Sequence, residues 1–306
     1  MKSVPAESGT VNLREIAEIE LFILRRMKEL TLGDHASVFK GPGFHFVGVR
    51  DWEPGDRSSS IDWAQSSLTN FSPLITREFE QDSNASIVAV ADASMSTRCG
   101  AHGVAIETAI ARAVAAVGLS AVFFQDMFGL ITFDDRFEQL AAARPKIGRS
   151  HVNYCVDLYQ NRRALDVPGG VRDVTTAIEG QLRRASLVPV ISDFLFHDAD
   201  RVVRELALLN AVHDVFVLMA DVGFAYDLPA VSDGWVEAFD VETGRTRVLS
   251  RRELSKLAGR VREWQDGVAR QARDAGLDVV RVGLDRWEME TALVEFTAER
   301  RLRKTK

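Results

Sequence analysis

The clearest chemical signal in the chain is the run Asp92-Ala93-Ser94-Met95-Ser96. It follows an apolar stretch, Ser86-Ile87-Val88-Ala89-Val90-Ala91, so one carboxylate and two hydroxyls arrive where a buried strand gives way to a loop. Oxygen donors of this kind are hard ligands and suit a hard cation such as Mg²⁺. An aspartate at the carboxyl end of a parallel strand also lies where open α/β sheets place their ligand sites. Taken alone, the same residues also describe a turn with helix-capping hydroxyls.

Other reactive residues are dispersed. The six histidines are His35, His45, His102, His151, His197 and His213, and no pair has metal-ligand spacing on one helix face. His197-Asp198 is read as a loop or cap residue pair. The two cysteines, Cys99 and Cys155, form no CxxC, so neither a disulfide framework nor a zinc site is expected. An active thiol needs a neighbouring base or cation, and packed cysteines are the simpler reading. The rival class is an enzyme, a metal-dependent phosphatase or nuclease using Asp92. Haloacid-dehalogenase phosphatases need a second aspartate two residues after the first to do acid–base work. Here that position is Ser94. No Walker lysine motif, Gly-x-Ser-x-Gly elbow or dinucleotide fingerprint is present.

Composition narrows the class further. The chain has 306 residues, 46% hydrophobic and 27% charged, which is enough to bury a sizeable core. A net charge of −6 argues against general nucleic-acid binding. The basic cluster Arg300, Arg301, Arg303, Lys304 and Lys306 reads as a solvated helix end. The apolar run 113–124 is shorter than the roughly 20 residues a bilayer needs. It reads as a buried core helix, with no membrane-spanning segment expected. The first ten residues show no secretory signature. The expected setting is a reducing cytoplasm.

Positioning Asp92 requires a sheet. Leu13, Ile16, Ile19, Ile23, Met27 and Leu30 recur at helical spacing and predict an amphipathic helix ending near Gly33. Residues 41–60 are rich in turn formers, followed by a first strand over 74–80. From Ser86 the chain alternates between strands and helices. Strands are predicted at 87–91, 127–133, 188–192, 215–219 and 279–282. Helices are predicted at 101–123, 150–159, 174–184, 199–209, 251–275 and 286–301. Ser250 and Glu253 have capping-box spacing, and Gly276 stands where a C-cap is expected. A hairpin, 235–239 with 246–249, is placed at the sheet edge. Apolar strands alternating with helices imply a mostly parallel sheet covered on both faces.

Several segments together resemble a known family. They are Gly41-Pro42-Gly43-Phe44, Val49-Arg50-Asp51-Trp52-Glu53-Pro54-Gly55-Asp56, Ile61-Asp62-Trp63, Leu74 to Glu80, the Asp92 run, Ile191-Ser192-Asp193-Phe194, His213-Asp214-Val215 and Phe239-Asp240-Val241-Glu242-Thr243-Gly244. In this order they resemble family fifty-eight of the domains of unknown function, the von Willebrand factor A-like proteins associated with MoxR-type AAA+ ATPases. The resemblance covers roughly residues 36 to 300. It implies an open α/β sheet in strand order 3-2-1-4-5-6, with Asp92 at the carboxyl end of the central strand. The expected organisation is an amino-terminal helix and β-rich segment over 1–83, packed on an A-type domain over 84–306.

The resemblance further implies a noncatalytic module whose metal-ion-dependent adhesion site holds one divalent cation. An open coordination position then takes a carboxylate from a partner. Asp92, Ser94 and Ser96 match the first three ligands, and Asp193 matches the second aspartate. The implied role is partner or adaptor of a MoxR-type AAA+ ATPase that matures or assembles a client protein, with a methanol-oxidation dehydrogenase as one concrete client. This sequence departs from the family at the threonine ligand. The family has Gly-Gly-Thr-Asp-Leu, whereas this chain has Gly169-Gly170-Val171-Arg172-Asp173-Val174. Arg172 falls at the threonine position, and Thr175 or Thr176 substitutes only if the loop shifts. A guanidinium beside Asp92 and Asp193 would compete with a cation for their carboxylates. The expectation is therefore a metal-free site with Arg172 in place of the ion, against an occupied Mg²⁺ site as the alternative. Ser59 and Ser67-Leu68 also depart from the family pattern. Asp62 is expected to bond nearby backbone, and Trp63 and Trp52 to pack inside.

Overall fold

Apolar runs of β-branched residues from Ser86 onward assemble one six-stranded sheet, and everything near Asp92 is placed by it. In this computed structural model the described residues are 10–32, 45–53, 61–68, 70–80, 85–101, 104–161, 173–182, 185–222, 235–239 and 246–283. They fall into two compact units, residues 1–28 with 85–306, and residues 29–84.

In the smaller unit, strands β1 (His45–Asp51) and β2 (Ile75–Glu80) pair antiparallel on either side of a short helix. That helix is α2 (Trp63–Leu68); the first element among the described residues is α1 (Leu13–Leu32), most of which belongs to the larger unit. Asp62 is the reason α2 starts where it does. Its Oδ1 accepts from the backbone N–H of Ala64 and of Gln65 at 3.1 and 3.2 Å, satisfying donors that a helix start leaves unpaired. Trp63, by contrast, is 60% exposed on α2 and not core. Trp52 is half-buried.

In the larger unit, β3 (Ser86–Asp92) leads through a 3₁₀ turn, Met95–Arg98, into the two-residue strands β4 (Gly100–Ala101) and β5 (Val104–Ala105). Helix α3 (Ile106–Phe123) follows, starting five residues later than periodicity predicts because the β4–β5 turn occupies the intervening chain. Then come β6 (Met127–Phe133), β7 (Gln139–Lys146), α4 (Arg149–Asn161) and α5 (Val174–Gln181). The chain continues through β8 (Leu187–Ser192), α6 (Ala199–Leu209) and β9 (Asp214–Ala220). It ends, among the described residues, with β10 (Trp235–Phe239), β11 (Thr246–Ser250), α7 (Arg251–Asp274) and β12 (Asp278–Val282).

The large sheet runs β12-β9-β8-β3-β6-β7. Numbered along the chain, this is the expected 3-2-1-4-5-6, with β7 antiparallel to β6 and the other strands parallel. On one face Val88, Val90, Ile131, Val190 and Val217 meet Val174, Ile178, Val202, Leu206, Val268 and Ala272 from α5, α6 and α7. α3 and α4 pack together against β3 and β6. α3 is long and apolar enough to cross a membrane, but 78% of it is buried inside the molecule. It is thus a core helix, as read from the sequence. α1 lays Ile16, Ile19 and Ile23 inward, and Glu15 accepts from Arg112 of α3 at 2.6 Å.

Two sequence expectations are corrected. The hairpin β10–β11 forms its own two-stranded sheet and does not pair with the large one. β7 was not foreseen, because Leu140-Ala141-Ala142-Ala143 has poor strand propensity and is held only by its ladder to β6. The predicted helix over 286–301 and the motif residues 54–60, including Ser59, lie outside the described residues. Ser67 and Leu68 are exposed on α2.

Candidate functional site

Adjacent parallel strands end at the same edge of a sheet. β3 pairs with β8 in register, Ala91 opposite Ile191, so Asp92 and Asp193 emerge side by side although they are far apart in sequence. Asp92 is fixed from several directions. Its Oδ1 accepts from the Ser94 N–H at 2.8 Å, and its Oδ2 accepts from the Ser192 hydroxyl at 2.5 Å. Its backbone carbonyl accepts from the Tyr159 hydroxyl at 2.8 Å, which ties α4 to the end of β3. Ser94 and Ser96 hydroxyls lie 3.0 Å apart, and Ser96 donates to Asp193 Oδ1 at 3.2 Å. The Leu195 N–H donates to the same oxygen at 2.9 Å.

The four oxygen-bearing residues Asp92, Ser94, Ser96 and Asp193 are therefore in one cluster. The cluster is closed. Asp92 and Asp193 are 0% exposed and Ser94 is 4%; of the four only Ser96 keeps partial exposure, next in the chain to exposed Met95. This corrects the picture of an open coordination position.

Burial next to another carboxylate has an electrostatic cost. Desolvation, and then the Asp92 charge, raise the Asp193 carboxyl to about 7, against the opposing bonds from Leu195 and Ser96. Asp193 Oδ2 is buried and has no hydrogen-bond partner among the described residues. A buried acceptor without a donor calls for a proton or a cation. Two carboxylates and two hydroxyls, all oxygen, fit a hard cation such as Mg²⁺. No group of three His, Cys, Asp or Glu side chains with metal-site geometry occurs among the described residues.

The other expected participants are placed elsewhere or not described. Arg172 lies outside the described residues. Asp173 stands at the start of α5, exposed, bridging in backbone to Glu138 and accepting from Thr175 Oγ1 at 2.7 Å. Its charge, after burial, helps raise the Glu205 carboxyl, so it faces α6. Thr175 is half-buried and Thr176 exposed. Cys155 is buried, which pushes its thiol up to about 12 and makes it inert, and Cys99 is half-buried. His197 is an exposed loop residue and Asp198 precedes α6 at the N-cap position.

Sequence reasoning missed three side chains that shape the site. Ser192 holds Asp92 Oδ2. Gln265 of α7, buried, donates through Nε2 to the carbonyls of Asp193 and Ala220, both at 2.9 Å. Trp264 Nε1 donates to the Phe194 carbonyl at 2.8 Å. Together they clamp the loop after β8, where Phe194 adopts a left-handed φ of +54°. The available signal was a glutamine in register with the apolar stripe Leu254, Ala258, Val261, Val268 and Ala272.

The open, mostly parallel sheet with acids at the carboxyl end of its central strands is the α/β architecture that the sequence led one to expect. The family described as "Protein of unknown function DUF58" matches residues 48–271, and the chain belongs to it. The uncharacterized proteins Rv1480 of Mycobacterium tuberculosis and Mb1516 of Mycobacterium bovis are each 27% identical over 294 residues, 92% of this chain and 88% of theirs. Among solved structures, a conserved hypothetical protein BatB from Bacteroides thetaiotaomicron is similar over 71% of this chain and all of its own, at 14% identity and a TM-score of 0.42. An aerotolerance-related membrane protein from Bacteroides fragilis is similar over the same shares at 13% identity and a TM-score of 0.42.

Proposed function

We propose that this protein is a noncatalytic interaction module of the cytoplasm that serves as adaptor to a MoxR-type AAA+ ATPase. The pair would assemble or mature another protein, such as a metal-dependent dehydrogenase. The observation that carries the reading is the Asp92–Asp193 cluster with its orphaned Asp193 Oδ2. Its members accept and donate hydrogen bonds among themselves. When Mg²⁺ is bound, Asp92, Ser94, Ser96 and Asp193 would hold it, and the ion would neutralise the two acids. The chain's own part is to hold the oxygens together, with Ser192 and Tyr159 fixing Asp92 and with Gln265 fixing the loop of Asp193.

The test combines two measurements on purified full-length protein. Calorimetric titration of chelator-treated protein with Mg²⁺ should release heat that Asp92→Ala removes. The MoxR-type ATPase of the same organism should be retained on immobilised wild-type protein and lost with Met95→Asp, a change at an exposed residue of the Asp92 loop. Absence of ATPase binding overturns the adaptor reading. Turnover of a generic phosphate ester that disappears in Asp92→Asn would replace it with the hydrolase.

A further inference from the structure

Beside the Asp193 loop lies a hollow of about 380 Å³ that the oxygen cluster does not explain. Leu195, Phe196 and His197 form one wall, and Leu257, Val261 and Trp264 of α7 form the other. Two polar groups of α7, on Trp264 and Gln265, tie the helix to the loop beside it. Trp264 spends its only N–H on the Phe194 carbonyl, which turns the ring so that it stays 42% exposed as a wall.

Helical spacing gives α7 three parallel stripes. Leu254, Ala258, Gln265, Val268 and Ala272 are buried toward the sheet. Leu257, Val261 and Trp264 lie next around the helix and are only partly covered. Arg252, Lys256 and Arg260, spaced by four, come next and are all exposed. Lys256 faces Glu253, whose carboxyl it helps hold low. Arg260 lines the hollow and has no carboxylate partner among the described residues. The nearest acid on the loop, Asp198, lies within 3.9 Å of Arg201 of α6. The hollow thus has an apolar floor and a cationic lip, on a molecule whose net charge is −6.

The geometry points to a docking groove for a partner's peptide segment in which an apolar side chain is flanked by aspartate or glutamate. The apolar residue fills the space between Trp264 and Phe196, and a carboxylate pairs with Arg260. Ligand clefts run from about 300 to 1,000 Å³, so this one suits one or two side chains rather than a folded domain. The cationic lip selects charge and speeds encounter, while the apolar floor supplies residence. The inference rests on the protein being an interaction module but not on the Asp92 cluster. Peptide binding and Mg²⁺ binding can therefore fail independently.

The test pans a displayed random peptide library on the full-length protein. The most enriched peptide, made with a fluorescent label, is then titrated by anisotropy. Enriched sequences should join an apolar residue to flanking acids. Their affinity should fall at least about tenfold, roughly 1.4 kcal/mol, in Arg260→Glu and in Val261→Asp. It should be unchanged in Arg204→Glu, an equal charge reversal on exposed α6. Circular dichroism confirms that Arg260→Glu, at an exposed position, stays folded. No enrichment, enrichment of basic peptides, or equal binding by Arg260→Glu overturns the proposal. So does co-sedimentation with phosphatidylserine vesicles that Arg260→Glu abolishes, which would assign the lip to an anionic bilayer.

Discussion

Asp193 concentrates the tension of this fold in one side chain. Its carboxyl is raised because burial and the Asp92 charge both oppose ionisation. The sign of the consequence follows directly. The folded state holds the proton up to about pH 7, while the unfolded chain releases it near the usual carboxylate value of about 4. Unfolding therefore releases a proton between those values, and stability falls as pH rises through that window. In chelator, the thermal midpoint should drop from about pH 5 to about pH 8 and the slope should vanish in Asp193→Asn. That variant should also be about 1–3 kcal/mol more stable than wild type at the upper pH, since it removes a buried charge beside a like charge. A flat wild-type profile would contradict the assignment. Asp92 and the two serines were readable as a cluster from their place at the end of an apolar run. What was not readable was that the cluster is sealed: exposure depends on how Met95 and the Asp193 loop pack, which no local spacing encodes.

Among elements, legibility followed the strength of the local pattern. β3, β6, β8 and β9 are nearly continuous buried runs, and α7 carries its capping box at Ser250 and Glu253 and its left-handed glycine at Gly276, φ +80°. These were all evident. β7 was hidden because three consecutive alanines read as helix or loop, and only the ladder with β6 makes them a strand. The strand runs close against Gly129 of β6. A Cβ at Gly129 would meet the Ala143 carbonyl oxygen and the Pro145 nitrogen, each at 2.9 Å. Those are backbone atoms, so the edge strand itself must move. Gly129→Ala should destabilise by about 1–3 kcal/mol in urea melts. Gly180→Ala, which meets nothing within 4 Å on exposed α5, should stabilise slightly through helix propensity. Equal effects of the two would contradict the close approach.

For the molecule as a whole, α1 packs within the larger unit through an apolar face and two ion pairs, Glu15 with Arg112 of α3 and Glu20 with Arg149 of α4. Glu15 and Arg112 are only 16% and 18% exposed in their side chains. Removing one partner strands the other in poor solvent, so Glu15→Ala should cost about 1–3 kcal/mol, partly discounted for residual hydration. Limited proteolysis should then cut within α1 before the sheet. Replacing both, Glu15→Leu with Arg112→Met, should recover most of the loss. The division of the chain into units was not legible in detail, since the boundary near residue 28 falls inside the continuous helical pattern of α1. The β3–β8 adjacency carries one more consequence. Ser192 reaches Asp92, and Ser96 reaches Asp193, across 100 and 97 residues of chain. Contacts so distant in sequence form late, after the intervening segments have been ordered. This edge therefore exists as a surface only once synthesis and folding have passed β8, and nascent or misfolded copies do not present it.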